Sequence, residues 1–310
     1  MKNLQTLNFD NYYPYDIKWC GDFIDEINSI DFSKGVYEIL FSGAKGSAKS
    51  TLAAHLAVYF CVAYPGIKIA ICRRTLKSVK KSIFKEILKQ IRGSNVENHL
   101  NKNFATNGIS ENSAEIRFRN GSEIFSLNWA DGNYQNFRSL EINIAVFEEL
   151  TENKSDHKEA YFEITDRLGR DRRYPSFSLC CTNPDEPDHW VYQHFFVNDP
   201  LKKVVYSRTR DNKFLPEFYE ESLRKKYTPL MAERMLDGKW VRIASENIYY
   251  NYSTEKNYKD YSYNINTSWP IDLSFDFNSA TGKPMSCSIS QYDKQGDVHH
   301  IFNACRIVIS

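Results

Sequence analysis

Gly43-Ala44-Lys45-Gly46-Ser47-Ala48-Lys49-Ser50 has the residue types and spacing of a phosphate cradle. Small residues let successive backbone N–H groups converge on an anion, and a helix N-terminus behind them adds its dipole. In the frame G-x4-G-K-[ST], Lys49 reaches the β- and γ-phosphates of ATP and the Ser50 hydroxyl ligates Mg²⁺. Thr51 extends the same binding set. Ala48 stands where the frame has its last glycine: harmless at negative φ, strained at positive φ.

A pair of acids supplies the second half of the chemistry. Ile142–Phe147 reads as a buried strand that ends in Glu148-Glu149. In P-loop ATPases, a strand beside the P-loop strand ends with an acid for the Mg²⁺ shell, followed by a Glu that polarises the attacking water. Glu148 takes the metal role here, acting through a metal-bound water because it is one methylene longer than the usual Asp. Glu149 takes the role of base.

The elements that must position these groups are legible around them. Val36–Phe41 reads as a strand before the cradle, Thr51–Tyr64 as an apolar helix after it, and Tyr64-Pro65-Gly66 as its stop. Ile67–Cys72 is the next strand, so strand, helix and strand form a parallel α/β unit with a right-handed crossover. Leu76, Val79, Ile83, Ile87 and Ile91 predict one amphipathic helix over 76–91. Its neighbourhood holds eight Lys/Arg against one acid, Glu86, which suits either DNA phosphates or a solvated helix face. Asn120-Gly121 between two alternating runs predicts a β-hairpin over 114–127. Ser176–Cys181 is a further buried strand. Residues 1–35 show no period.

Length and composition bound the reading. The chain has 310 residues, 42% hydrophobic and 25% charged, enough for one large or two modest domains. A net charge of +1 leaves any nucleic-acid affinity to local clusters. Seven cysteines without a C-x-x-C pair read as reduced thiols. The start, MKNLQTLNFD, lacks a signal pattern and no apolar run reaches bilayer length, so the expectation is a cytoplasmic protein without a membrane partner.

Further motifs fall in order with phage terminase large subunits of the SPP1/PBSX type, which this chain resembles over roughly residues 36–292. The family's cradle resembles GGRGSGKS, and its coupling motif of Thr-x-Asn-Pro kind resembles Cys180-Cys181-Thr182-Asn183-Pro184. Thr209-Arg210-Asp211-Asn212-Lys213-Phe214-Leu215 resembles T-x-x-D-N-x-F-L, and Gly238-Lys239-Trp240 resembles G-x-W. The resemblance implies a RecA/ASCE-like P-loop NTPase with a mostly parallel sheet flanked by helices over 1–244. A polar linker over 245–268 and the first strands of an RNase-H-like α/β nuclease over 269–310 would follow, with Asp276 as first metal ligand. It implies that Thr182 and Asn183 sense the γ-phosphate. It implies an ATP- and Mg²⁺-dependent motor that moves double-stranded DNA into a procapsid. A second divalent-metal site belongs to the complete nuclease. Portal protein, a small terminase subunit and a working ring of five subunits are the implied partners. The family's third cradle residue is often Arg; Lys45 stands there, which leaves the arginine-finger role open between Lys45, Arg138 and the pair Arg73/Arg74, in cis or from a neighbouring subunit. Competing readings are a helicase- or recombinase-type DNA-dependent ATPase and a non-motor ATP-binding assembly switch.

Overall fold

The computed structural model describes residues 16–130, 132, 137–152, 155–243, 266–276, 284–292, 294 and 298–307. By internal contacts the chain divides into two compact units, 1–243 and 244–310.

The first unit opens with α1 (Lys18–Ser29), β1 (Tyr37–Gly43), α2 (Lys49–Ala63) and β2 (Lys68–Cys72). Two short helices follow, α3 (Leu76–Lys81) and α4 (Ile83–Ile91), then strands β3 (Ile109–Ser110), β4 (Glu115–Arg117) and β5 (Glu123–Leu127). Next come β6 (Ile144–Glu148), α5 (Ser155–Thr165), β7 (Phe177–Thr182), α6 (Trp190–Phe195) and β8 (Lys202–Ser207). Helices α7 (Phe218–Arg224) and α8 (Pro229–Met235) close it.

All eight strands form one sheet in the order β3-β4-β5-β2-β6-β7-β1-β8. Pairing is parallel from β5 to β8 and antiparallel only at the β3-β4-β5 end. This is the expected mixed α/β architecture with a mostly parallel sheet. Strands β6 and β7 are buried at every position, as a parallel sheet covered on both faces requires. Core residues of α1, α2 and α4 cover one face, and those of α5 and α6, with Trp129, cover the other.

One expectation about the sheet is corrected. The acidic strand β6 does not lie beside the P-loop strand β1; β7 is inserted between them and pairs in parallel with both. The Thr-Asn-Pro turn therefore emerges between the cradle and the acids.

A second correction concerns the helix expected over 76–91, which is broken at Ser82. There φ is −114° and ψ −105°, outside the helical region. The Ser82 hydroxyl donates to the Ser78 carbonyl four residues back, a bond that competes with helix propagation. The amide of Ile83 donates instead to the Glu148 carboxylate at 3.1 Å.

The N-terminal helix α1, which lacked a readable period, docks through its aromatics. Phe41 is fully buried and meets Phe23 and Trp19 edge-to-face, with centroids 4.8 and 5.4 Å away. Such pairs contribute about 0.5–1.5 kcal/mol each beyond area burial. At the start of β1, Glu38 accepts from Tyr161 of α5 and meets His194 of α6 at 2.6 Å. Burial pushes the Glu38 carboxyl up, and the bonds from His194 and Tyr161 outweigh it, so it sits below the usual carboxylate range.

In the second unit, β9 (Ile271–Asp276), β10 (Pro284–Tyr292) and β11 (Val298–Ile307) form an antiparallel sheet in the order β11-β10-β9. Asp276 is the last residue of β9 and pairs with Ser286; its side chain lies outside the described residues. So does the expected linker, apart from residues 266–268. No described helix is long and apolar enough to cross a membrane. Six described cysteines are free thiols, five of them buried.

After α8 the chain passes Gly238 at φ 73°, where an added Cβ would lie 2.8 Å from the Ser207 carbonyl oxygen. Gly238→Ala combines a left-handed alanine with a backbone clash. It is expected to destabilise the first unit by about 2 kcal/mol, read as a lower urea midpoint at unchanged m-value.

Candidate nucleotide site

The cradle is tied to several segments. Its five consecutive carbonyls from Gly43 to Ser47 each accept a hydrogen bond. Lys49 Nζ donates to the carbonyls of Gly43 (2.7 Å) and Ala44 (2.8 Å). The Thr209 hydroxyl takes that of Lys45, and Asn212 Nδ2 that of Gly46, each at 2.8 Å. Trp19 Nε1 takes that of Ser47 at 2.9 Å. With the carbonyls committed, the amides at the start of α2, which have no helical partner, are left for an anion. Trp240 adds a brace from behind, Nε1 donating to the Ser42 hydroxyl at 2.8 Å. Gly43 has no room for a side chain, since a Cβ there would lie 2.0 Å from Ser207 Oγ.

Two residues turn the loop through left-handed backbone. Gly46 has φ 77°, and Ala48 has φ 75° and ψ 17°, so the alanine occupies the strained alternative. Across the cleft Glu149 is also left-handed, with φ 52°. Its amide is fixed by the Cys181 carbonyl at 2.8 Å.

Lys49 and Glu149 communicate through Asn183. The Lys49 ammonium donates to Asn183 Oδ1 at 3.2 Å, and Asn183 Nδ2 faces the Glu149 carboxylate at 3.3 and 3.5 Å. Lys49 is only 8% exposed. Burial pulls its ammonium down to about 8, against the opposing pull of Glu149, Cys181 and Glu148. Burial likewise pushes the Glu149 carboxyl up, with Lys49 and Arg73 opposing. Behind Asn183, the Thr182 hydroxyl meets that of Thr151 at 2.5 Å and accepts the Thr151 amide at 3.1 Å. Thr151 Oγ1 also donates to the Asn183 carbonyl at 3.0 Å. The end of β7 is thereby stitched to the loop after β6.

Lys45 to Thr51, Glu148, Glu149 and Asn183 line one cleft of about 400 Å³, joined by Cys181, Asn212 and Leu215. The structure thus brings together most of the expected set; Gly43, Ala44 and Thr182 support it from beneath. Glu148 is 4% exposed and lies 3.9 Å from Arg73 Nη1, while Arg73 Nη2 binds Glu152 at 2.7 Å. Arg138 is not brought to the cleft: it is exposed and paired with Glu163 of α5 at 3.1 Å. Thr51 faces sideways, its hydroxyl 3.2 Å from Glu86 and its carbonyl accepting from Gln90 at 2.9 Å. Trp19, Ser207 and Thr151 were not singled out from sequence, since an indole, a serine and a threonine have no spacing signature.

The donor set fits Mg²⁺ carried with nucleotide phosphates. Mg²⁺ keeps waters and uses one or two carboxylates plus phosphate oxygens rather than an all-protein cage. Ser50, Glu148 and Glu149 line the same cleft. Among the described residues no group of three or more His, Cys, Asp or Glu could hold a metal alone.

Comparison with known proteins gives the family and the fold. The family model described as phage terminase large subunit matches residues 34–241. The PBSX phage terminase large subunit of Bacillus subtilis (strain 168) is 30% identical over 141 residues, which are 37% of this chain and 30% of that one. The match therefore spans under a third of that relative's length. The large terminase of a thermophilic bacteriophage, solved with ADP, superposes with a TM-score of 0.56 at 13% identity, covering 94% of this chain and 67% of that one. The HK97 bacteriophage large terminase superposes with a TM-score of 0.54 at 13% identity, covering 92% and 62%. At such identities the likeness is one of fold.

Ala48→Gly should relieve the left-handed alanine. The gain of about 1–2 kcal/mol in the folded state is partly offset by glycine's greater unfolded freedom. A net stabilisation of about 0.5–1 kcal/mol is expected in thermal unfolding, and equal or lower stability would show that the loop tolerates alanine without strain.

Proposed function

This chain belongs to the phage terminase large subunit family, and from that premise we propose that it is the ATP-hydrolysing motor of viral double-stranded DNA packaging. The observation that carries the reading is the Lys49–Asn183–Glu149 line within one cleft under a braced P-loop. A charge for phosphate, a sensor and a base in series are what ATP hydrolysis coupled to movement needs.

In this proposal the cradle amides and Lys49 hold the β- and γ-phosphates. Ser50 and Glu148 would hold Mg²⁺, which would supply neutralisation of phosphate charge. Glu149 orients the attacking water and accepts its proton, a task suited to a carboxylate whose proton affinity burial has raised. Asn183 touches both Lys49 and Glu149, so loss of the γ-phosphate changes its partners. The hydroxyl pair Thr182/Thr151 passes that change into the loop after β6. Arg73, 3.9 Å from Glu148, is the better-placed finger within the chain, with exposed Lys45 at the cleft's edge. Arg138 would act only from a neighbouring subunit, after leaving Glu163.

The wider assignment follows the family. Double-stranded DNA, a portal on the procapsid, a small terminase subunit and a ring of about five protomers are its partners, in the host cytoplasm. Residues 269–310 would begin an RNase-H-like nuclease with Asp276 as first ligand. A two-metal site needs several convergent carboxylates, so DNA cleavage is assigned to the full-length protein.

Glu149→Gln should lower ATP turnover at least about 10²-fold while leaving ATP affinity within a few-fold. Lys49→Ala should abolish both. Full turnover in Glu149→Gln removes Glu149 as base, and strand displacement on a forked duplex would favour a helicase instead. The pH dependence follows from Lys49. Its folded value, about 8, lies below the free-lysine value, so the folded state sheds this proton first. Stability is thus penalised below about pH 8, and the penalty fades as pH rises toward the unfolded value. Phosphate binding needs the charge, so nucleotide Kd, measured by titration from pH 7 to 9.5, should be flat at first and rise above about pH 8.

A further inference from the structure

The basic helix pair α3–α4 is wired to the nucleotide cleft at two points. The first is Glu148, whose carboxylate accepts the amide of Ile83, the opening residue of α4. The second is Thr51, next to the Mg²⁺-ligand candidate Ser50: its hydroxyl meets Glu86 and its carbonyl accepts from Gln90, both on α4. Between the helices Ser82 breaks the axis, with backbone angles outside the helical region at that one residue.

The opposite side of the pair is a line of cations. Lys77 and Lys81 on α3, Lys85 and Lys89 on α4, and Arg92 just beyond it are exposed. Within each helix their four-residue spacing puts them on one face, about 6 Å apart along the axis. Among the described residues Lys77, Lys81 and Lys85 form no ion pair. Lys89 pairs with Glu86 and Arg92 with Glu111. Glu86, the one acid in the segment, is shared between Lys89 and Thr51, which leaves Lys77, Lys81 and Lys85 uncompensated in a protein of net charge +1. Like charges held in a row raise the free energy of the isolated protein, and a polyanion relieves it.

We propose that α3–α4 is the element through which the nucleotide cleft controls a grip on the phosphodiester backbone of duplex DNA, with Lys77, Lys81 and Lys85 as the contacts. The inference rests on the motor reading above and adds the gripping residues and their link to the cleft. Groups that bind at Glu148 and beside Thr51 compete with the bonds that seat α4. A change of nucleotide therefore re-aims the stripe about the Ser82 break. Ammonium groups on flexible stems accept every sequence, as a translocating contact requires.

The test uses the full chain and a fluorescent duplex of roughly 30 base pairs, titrated at several salt concentrations with and without ATPγS. The triple variant K77A/K81A/K85A is expected to bind at least about tenfold more weakly, with the salt slope reduced by about 2.7, that is 0.9 for each lost phosphate contact. Its basal ATP turnover should be unchanged and its stimulation by DNA lost. K225A/K226A, the same kind of change just beyond α7, serves as the control and should bind as wild type. Gln90→Leu, which cuts one link, should keep DNA affinity but lose the difference between nucleotide-free and ATPγS states. Equal affinity and slope in wild type and triple variant would overturn the proposal while the motor reading stands. A wild-type chain that neither binds duplex nor responds to it would overturn the motor reading, and this inference with it. Unaltered DNA binding combined with lost portal association would assign the stripe to an acidic protein surface and likewise overturn it.

Discussion

The first unit converges on the turn between β1 and α2, where each carbonyl from Gly43 to Ser47 must find a donor. A peptide group presents an N–H and a C=O on opposite sides, and a buried turn must find partners for both: the amides of Ala44 and Lys45 donate to the carbonyls of Ser207 and Met235, and the oxygens need donors. Here those bonds come from distant segments: Trp19 from α1, Thr209 and Asn212 from the stretch after β8, and Lys49 from within. Removing any one leaves a carbonyl of the turn without its donor. This explains why elements far apart in sequence converge behind one short turn.

The same constraint gives meaning to the strand order. With β7 between β1 and β6, the ends of three parallel strands deliver the cradle, Asn183 and the acids side by side. Had β6 paired directly with β1, Glu149 and Lys49 would meet without an intermediary and lock as a buried ion pair. Asn183 bridges the two groups, whose displacements from their ordinary values run in opposite directions. Burial sets both directions, and each charge holds back the other's neutralisation. Such a pair responds strongly to any third charge placed between its members.

Much of this was readable from sequence, for a physical reason. The cradle, the strands before and after it, the acid pair and the Asn-Gly hairpin are encoded locally, in small residues, apolar runs and turn chemistry. The order of strands in the sheet is not, because β6 and β7 look alike as buried apolar runs and only tertiary pairing distinguishes their places. The break at Ser82 was hidden for a similar reason. The apolar period runs straight through it, while the interruption comes from a serine back-bond and from a carboxylate 65 residues away. Edge strand β8 was missed because Lys202-Lys203 masks its apolar part and β1 supplies its pairing. Thr209, Asn212 and Trp240 were visible as a family signature, but only the fold gives them work: outward anchors for the loop.

Strain is distributed around the cleft in a consistent way. Ala48 and Glu149 are both left-handed without being glycine, one on each side of the site. Such residues persist where surrounding bonds over-determine them. Ala48 is fixed because its carbonyl starts α2, accepting the Leu52 amide at 3.0 Å. Glu149 is fixed by its own amide on Cys181 and by its carbonyl on the Glu152 amide at 2.7 Å. Relaxing Ala48 costs the fold nothing chemical, because its side chain is a methyl. Relaxing Glu149 would swing the carboxylate away from Asn183. The two similar backbone angles therefore differ in kind: the first carries only a methyl, and the second holds a carboxylate against Asn183.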